Sequence, residues 1–353
     1  MSSLLHLQKY FEGKRLIIPI LLGLTVAFYF LYKDFDPNAY KAITWGPIVI
    51  FWFALALLMV IFRFIGYMVR LRILSDGVLK WRHCFQLVVL WEFSSALSPG
   101  IVGGTAAAFI LLAQERKLGT GKATAIVLAT SYLDVLYYIL FAPLLLLITG
   151  FASQIPLKIG PFGSSFITVY FTIAYSLLLL WAILVYVGIF VKPNWVRKAV
   201  IGLFNLPFFN RWKGKAVLWG DQILIAANEF KKKKRTFWFK AFGATFFSWT
   251  ARFALVLFLI LAFGTHIETL QIFSRQLIMW GALMLPITPG ASGLAEMLFP
   301  AFLGEYFALP QLANAASVLW RLISYYPYLV LGFVVFPVWM KRILKKTKPT
   351  SVE

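Results

Sequence analysis

Six long apolar runs leave few folds open to this chain: Leu16–Tyr32, Ile48–Val69, Ala123–Thr149, Phe166–Val191, Phe237–Phe263 and Leu312–Trp339. A helix needs about 17–25 apolar residues to cross a bilayer, and each run meets that length. Of the 353 residues, 61% are apolar and 13% charged, against about 45–50% and about 25% in soluble domains. So few charges cannot cover a soluble core, and 18% aromatic content excludes a solvated, disordered chain. The first run lacks a small-residue cleavage site and leads into Tyr32-Lys33-Asp34, so it reads as a retained anchor helix, not a signal peptide.

Two further apolar regions, His83–Ala113 and Gln271–Leu303, do not read as simple spans. Each is broken in its middle, at Ser98-Pro99-Gly100 and at Thr288-Pro289-Gly290. Their arms of about 12–17 residues reach roughly 18–25 Å at ~1.5 Å per residue, short of the ~30 Å hydrocarbon core. Proline removes a donor and glycine breaks a helix. These regions are therefore expected to be re-entrant hairpins with the breaks at their tips.

Charge tests that topology. There are 34 Lys and Arg against 13 Asp and Glu, a net charge of +21. The basic residues sit in loops and at the ends of apolar runs, which points to membrane orientation and anionic lipid, not nucleic acid. With the N-terminus inside and both hairpins returning to the side they left, 27 basic residues are cytoplasmic, Arg70 among them, counted with the loop after the second run. Only Lys33, Lys41, Lys158 and Arg275 lie outside. The expected fold is an all-α polytopic membrane protein with six full spans and two re-entrant hairpins. Both termini are then cytoplasmic, and the location is a bacterial cytoplasmic (inner) membrane.

The chain then divides into two halves of opposite orientation, each with three spans and one broken hairpin. Residues 1–191 hold the first repeat and its connecting span, and 192–236 form a basic cytoplasmic linker. Residues 237–340 form the core of the second repeat and 341–353 a basic tail. The tips match in character: Ser98-Pro99-Gly100-Ile101-Val102-Gly103 against Thr288-Pro289-Gly290-Ala291-Ser292-Gly293. Inverted repeats with broken helices at mid-membrane mark secondary transporters. In the linker, Trp195, Ala199, Leu203 and then Val217, Leu218 and Ile225 fall at helical spacing beside Lys231–Arg235, as in amphipathic helices on the inner leaflet.

Ionisable residues inside a membrane are costly and mark function by default. The spans and hairpins carry Arg63, Arg252 and Arg321 with Glu92, Asp134 and Glu296. Three bases and three acids can pair structurally. They can also line a cavity where half-helix N-termini after Gly100 and Gly290 present free N–H groups to a phosphate. The candidate substrate-binding set is Pro99, Gly100, Gly103, Gly104, Thr105, Thr288, Pro289, Gly290, Ser292, Gly293, Arg252 and Arg321, with the two arginines as a phosphate fork. Glu92, Asp134 and Glu296 are candidates for charge balance or proton carriage.

These strings resemble the lysylphosphatidylglycerol synthase transmembrane region, also called the flippase-like domain family. Leu285–Glu296 is similar to its Pro-x-Pro-Gly-Gly-x-Gly-x-x-Glu block, with Ala291 at the second glycine of the doublet. Trp320–Pro327 resembles its Arg-containing partner. Gly103-Gly104, Gly121-Lys122-Ala123 and Asp134 resemble its first-half block, where many members carry Arg at the position of Ser131. The resemblance implies translocation of a phospholipid or related amphiphile. The synthase activity is not carried over, because thirteen residues follow Met340.

The chain is thus expected to be a lipid flippase or transporter and not an enzyme, needing no cofactor. Cys84 alone excludes a disulfide framework, and His6, His83 and His266 form no metal or catalytic set. No G-x-x-x-x-G-K-[ST] string is present. Expected partners are membrane lipids with anionic or zwitterionic headgroups, with a homodimer or a lipid-biosynthetic enzyme compatible and nucleic acid excluded. The competing readings are a membrane enzyme acting on lipid or polyprenyl-glycolipid, and an accessory scaffold that docks biosynthetic enzymes through 192–236.

Overall fold

A computed structural model describes residues 45–98, 100–115, 118–159, 162–203, 205, 213–265, 267–283, 290–291 and 293–345. The run Leu16–Tyr32 and the tip residues Pro99, Thr288, Pro289 and Ser292 lie outside that set. In chain order the helices are α1 (Pro47–Leu74), α2 (Trp81–Leu97), α3 (Gly100–Ala113), α4 (Gly119–Thr149), α5 (Ser164–Tyr186), α6 (Pro193–Leu203), α7 (Lys213–Lys231), α8 (Arg235–Phe263), α9 (Thr269–Leu283), α10 (Leu294–Leu303), α11 (Pro310–Ser324) and α12 (Tyr326–Lys345). Among the described residues the one strand pair is Lys158–Ile159 against Phe162–Gly163. It turns the chain from the end of α4 into α5.

Among the described residues five stretches are long and apolar enough to cross a membrane: α1, α4, α5, α8 and the α11–α12 pair. The protein is therefore an all-α polytopic membrane protein. Its outer surface is correspondingly greasy: Leu147 on α4 is 84% exposed and Ile48 on α1 is 72% exposed, as expected where lipid replaces water. The last apolar run is two helices, not one. The chain turns at Tyr325, which leaves helical geometry just ahead of Pro327, a proline that cannot supply a helical N–H.

The helices α1 and α8 pack along their length, where small residues let the backbones approach. A Cβ added to Gly66 would lie 2.2 Å from the Ser248 hydroxyl. Close approach through small residues is what helix association in lipid relies on, since burying apolar surface there gains little. Against this pair stands α4, a 31-residue helix, roughly 46 Å long at ~1.5 Å per residue.

Buried side chains divide into two cores stacked along α4. One takes Ala123–Leu133 from the first half of α4, Cys84–Leu90 from α2, Ala108–Leu112 from α3 and Trp339 from α12. The other takes Tyr137–Leu146 from the second half of α4, Ile272–Leu283 from α9 and Ala295–Leu303 from α10. The α2–α3 hairpin thus packs at one pole of the molecule and α9–α10 at the other.

An ion pair closes each hairpin two residues past its returning helix. Arg342 of α12 donates to Glu115, which also accepts from the Trp339 indole. At the far end of α4, Arg275 of α9 pairs with Glu305 at 2.7 Å and donates to the Phe302 and Ser153 carbonyls. The linker forms α6 and α7, joined by Arg197 donating to Asp221 at 2.6 Å. Helix α7 packs on the N-terminal end of α4, with Ile225 against Gly121.

Candidate functional site

Residues beside both breaks, Ser98 in the first and Gly290 and Ala291 in the second, line one cavity of about 1100 Å³ walled by both halves of the chain. On α4 its lining runs from Thr124 to Val135, no further than the middle of the helix, and on α5 it includes Leu178 and Trp181 near the C-terminal end. The space therefore extends from the tips toward the pole of the α2–α3 hairpin. Most of the wall is apolar. The charged groups collect on one side, and α1 brings three polar side chains there because Arg63, Tyr67 and Arg70 fall at i, i+4 and i+7 on one helical face.

Each acid in this region holds one arginine. Arg63 donates to Glu92 of α2 at 2.5 Å. Arg70 donates to both oxygens of Asp134 on α4 and to the Thr245 hydroxyl at 3.3 Å. The Trp249 indole N–H donates to the same Asp134 carboxylate at 2.8 Å. Arg321 of α11 donates to Glu296 of α10 at 2.9 Å and to the Gly290 carbonyl at 2.9 Å. Glu296 in turn accepts the Gly293 backbone N–H at 2.7 Å. Buried ion pairs need such extra hydrogen bonds to offset desolvation.

The second tip is built by this last network. Gly290, Ala291 and Gly293 all have positive φ, at 57°, 54° and 86°. Glycine tolerates that region, whereas alanine is disfavoured there. Tyr325 links the two tips. Its hydroxyl donates to the Ala96 carbonyl at 2.9 Å, and its ring lies 4.1 Å from the Arg321 guanidinium. A Cβ on Gly290 would lie 2.4 Å from that ring. At the first tip, Gly100 and Gly103 occupy the first turn of α3, and Gly104 presses on Ser95 of α2.

Arg252 is treated differently. Its guanidinium lies over the faces of Trp249 and Trp280, 4.7 and 4.4 Å from the ring centroids. It donates to the Tyr67 hydroxyl at 2.9 Å, and its Nε is buried without an acceptor. Among the described residues no carboxylate pairs with it.

Of the sequence-derived candidates, Thr105, Gly290, Arg252 and Arg321 line the cavity, as do Glu92 and Asp134. Glu296 and Gly293 stand behind the second tip and fix it. Arg321 and Arg252 are not equivalent arms of one fork. The first is held by Glu296 and the Gly290 carbonyl, and the second by the Tyr67 hydroxyl and two indole faces, with no carboxylate among the described residues. Arg70 is a correction: it lies inside α1, buried and paired with Asp134, not in the loop. Its seven-residue spacing from Arg63 was the available signal. The aromatic residues Tyr67, Trp249, Trp280, Tyr325 and Tyr328 carried no signal in a chain so rich in rings.

Known proteins bear on this arrangement in two ways. A "UPF0104 membrane protein" of Archaeoglobus fulgidus is 24% identical over 283 residues, spanning 75% of this chain and 79% of the relative. Residues 16–332 match the family described as the lysylphosphatidylglycerol synthase transmembrane region, a match that takes in both hairpins, the four cavity arginines and their acids. The chain belongs to that transmembrane-region family.

Proposed function

We propose that this protein moves a phospholipid, or a related amphiphile with an anionic or zwitterionic headgroup, between the leaflets of its membrane. The observation that carries the proposal is the cavity between the two halves. It offers charged groups on one side and apolar walls elsewhere, and both halves of the chain contribute to it. A headgroup seated among the arginines leaves its acyl chains against Phe109, Ile110, Leu128 and Leu178, all cavity-lining.

The two stacked cores support an inverted arrangement in which each hairpin enters the bilayer from its own side and turns back. The α2–α3 hairpin shares its pole with α7 and the basic stretches, so by the positive-inside rule that pole is cytoplasmic. The cavity extends toward it, and this conformation presents the site to the inner leaflet. Rocking of one half against the other then gives alternating access.

The test uses the full chain in liposomes with a headgroup-labelled phospholipid. Leaflet exchange above the protein-free rate is expected. It should fall to background when Ala106, on the cavity wall, is replaced in Ala106→Trp while the variant keeps the wild-type unfolding midpoint. Chemical turnover of the lipid would move the reading to an enzyme. Absence of both exchange and turnover would remove the transport proposal.

A further inference from the structure

The charge count of the cavity names a substrate class. Four guanidinium groups face it, from Arg63, Arg70, Arg252 and Arg321. Three are matched by Glu92, Asp134 and Glu296. Among the described residues that leaves one cation without a carboxylate, Arg252, whose neighbours are two indole faces and a tyrosine hydroxyl. Among the described residues no acid besides Glu92 and Asp134 lines the cavity.

A charge withdrawn from water without a counter-ion is costly. Aromatic faces offset only part of that. We propose, as a deepening of the lipid-translocation reading, that Arg252 receives the headgroup phosphate of a lipid with one net negative charge, that is, a phosphodiester without a compensating cation. A second polar group points to the same occupant. The Tyr328 hydroxyl is buried, lines the cavity and has no partner among the described residues, so it can donate to a second phosphate oxygen.

The electrostatic argument ranks the alternatives. A singly charged diester brings the described charges of the cavity to neutrality. A phosphomonoester, near −2 above its second pKa of about 6, leaves an excess negative charge beside Glu92 and Asp134. A zwitterionic lipid neutralises Arg252 but introduces an ammonium group, and the carboxylates facing the cavity already serve arginines. A cationic lipid adds to the existing surplus.

Purified full-length protein in neutral detergent at about pH 8 tests this with lipids of matched short acyl chains. The probes are phosphatidylmethanol (one negative charge), phosphatidic acid (two at that pH), phosphatidylcholine (none) and ethylphosphatidylcholine (one positive). Tryptophan fluorescence reads the binding, since Trp249 and Trp280 stack on Arg252. Phosphatidylmethanol is expected to bind about tenfold tighter than each of the other three. Arg252→Gln should abolish that preference, Arg252→Lys should keep part of it, and Tyr328→Phe should weaken phosphatidylmethanol alone.

Equal or tighter binding of phosphatidic acid or phosphatidylcholine by the wild-type protein overturns the proposal without any variant. So does an unchanged preference in Arg252→Gln, or equal binding of a fatty-acid carboxylate. Binding and transport separate cleanly. A phosphodiester preference with no leaflet exchange keeps this site and defeats translocation, whereas exchange with no preference does the reverse.

Discussion

The two broken hairpins begin from similar strings and are held by different physics. In the first, α2 and α3 are separated by only Ser98 and Pro99, and their arms press together through small residues. A Cβ on Gly104 would lie 2.1 Å from the Ser95 hydroxyl oxygen. In the second, residues 284–293 separate α9 from α10. Three left-handed residues shape its tip, and charge ties it down through Arg321, Glu296 and the Gly290 carbonyl. One tip is secured by contact and the other by a buried ion pair. A Pro-Gly break therefore specifies where a helix stops, and the residues that fix the tip lie elsewhere.

The largest expected effect comes from breaking the charged tip. The Arg321 and Glu296 side chains are 8% and 10% exposed. Removing one partner strands the other as a buried charge, which costs about 3–5 kcal/mol. Arg321→Met should therefore lower the unfolding midpoint of the detergent-solubilised protein sharply. Adding Glu296→Leu should recover most of the loss, because replacing both members of a buried pair is often near neutral. A wild-type midpoint for Arg321→Met alone would mean that charge does not hold this tip.

The contact-held tip should respond to volume instead. Gly104→Val forces a side chain into the Ser95 contact, and overpacking of this kind costs about 1–3 kcal/mol. Pairing it with Ser95→Gly should return part of that, while Ser95→Gly should do nothing for Arg321→Met. Such non-additivity between neighbours and additivity between distant sites is what a double-mutant cycle reads. If Ser95→Gly fails to relieve Gly104→Val, the arms of the first hairpin are not in the contact described.

The same contrast explains how much of the molecule could be read from its residues. Apolar runs set the helices α1, α4, α5 and α8 because lipid demands length and an apolar surface, both local properties. The two breaks were visible because proline and glycine act on their own backbone. The pairing of charges was not visible. Glu92 lies 29 residues from Arg63 and Asp134 lies 64 from Arg70, and neither separation follows from helical period. Arg70 was hidden by its position near a basic loop, although Arg63, Tyr67 and Arg70 share one face of α1. Arg252 and Arg321 looked alike in the sequence. Only packing separates the arginine that binds its own tip from the one lying between two indoles.

The smallest effect belongs to a third kind of fastening, at the water-facing end of the first hairpin's pole. Asp76, in the turn after α1, accepts from Lys122 of α4 at 2.7 Å and from Lys233 after α7 at 2.6 Å. Partial burial pushes its carboxyl up, but the two lysine ammonium groups outweigh this and hold it below the usual value of 3.8. A carboxyl depressed in the folded state stabilises that state above the unfolded value and ceases to do so as pH falls through the folded one. The contribution is therefore full at neutral pH and disappears only in acid, below about pH 4. Pairs open to solvent are worth about 0.2–1 kcal/mol and are screened by salt. Asp76→Asn should lower the neutral-pH midpoint slightly and flatten its decline in acid, and high salt should mimic the substitution. If the variant instead lost as much as Arg321→Met, the linker contact would be as strongly coupled to folding as the buried tip, and the ranking of contact, buried charge and surface charge would fail.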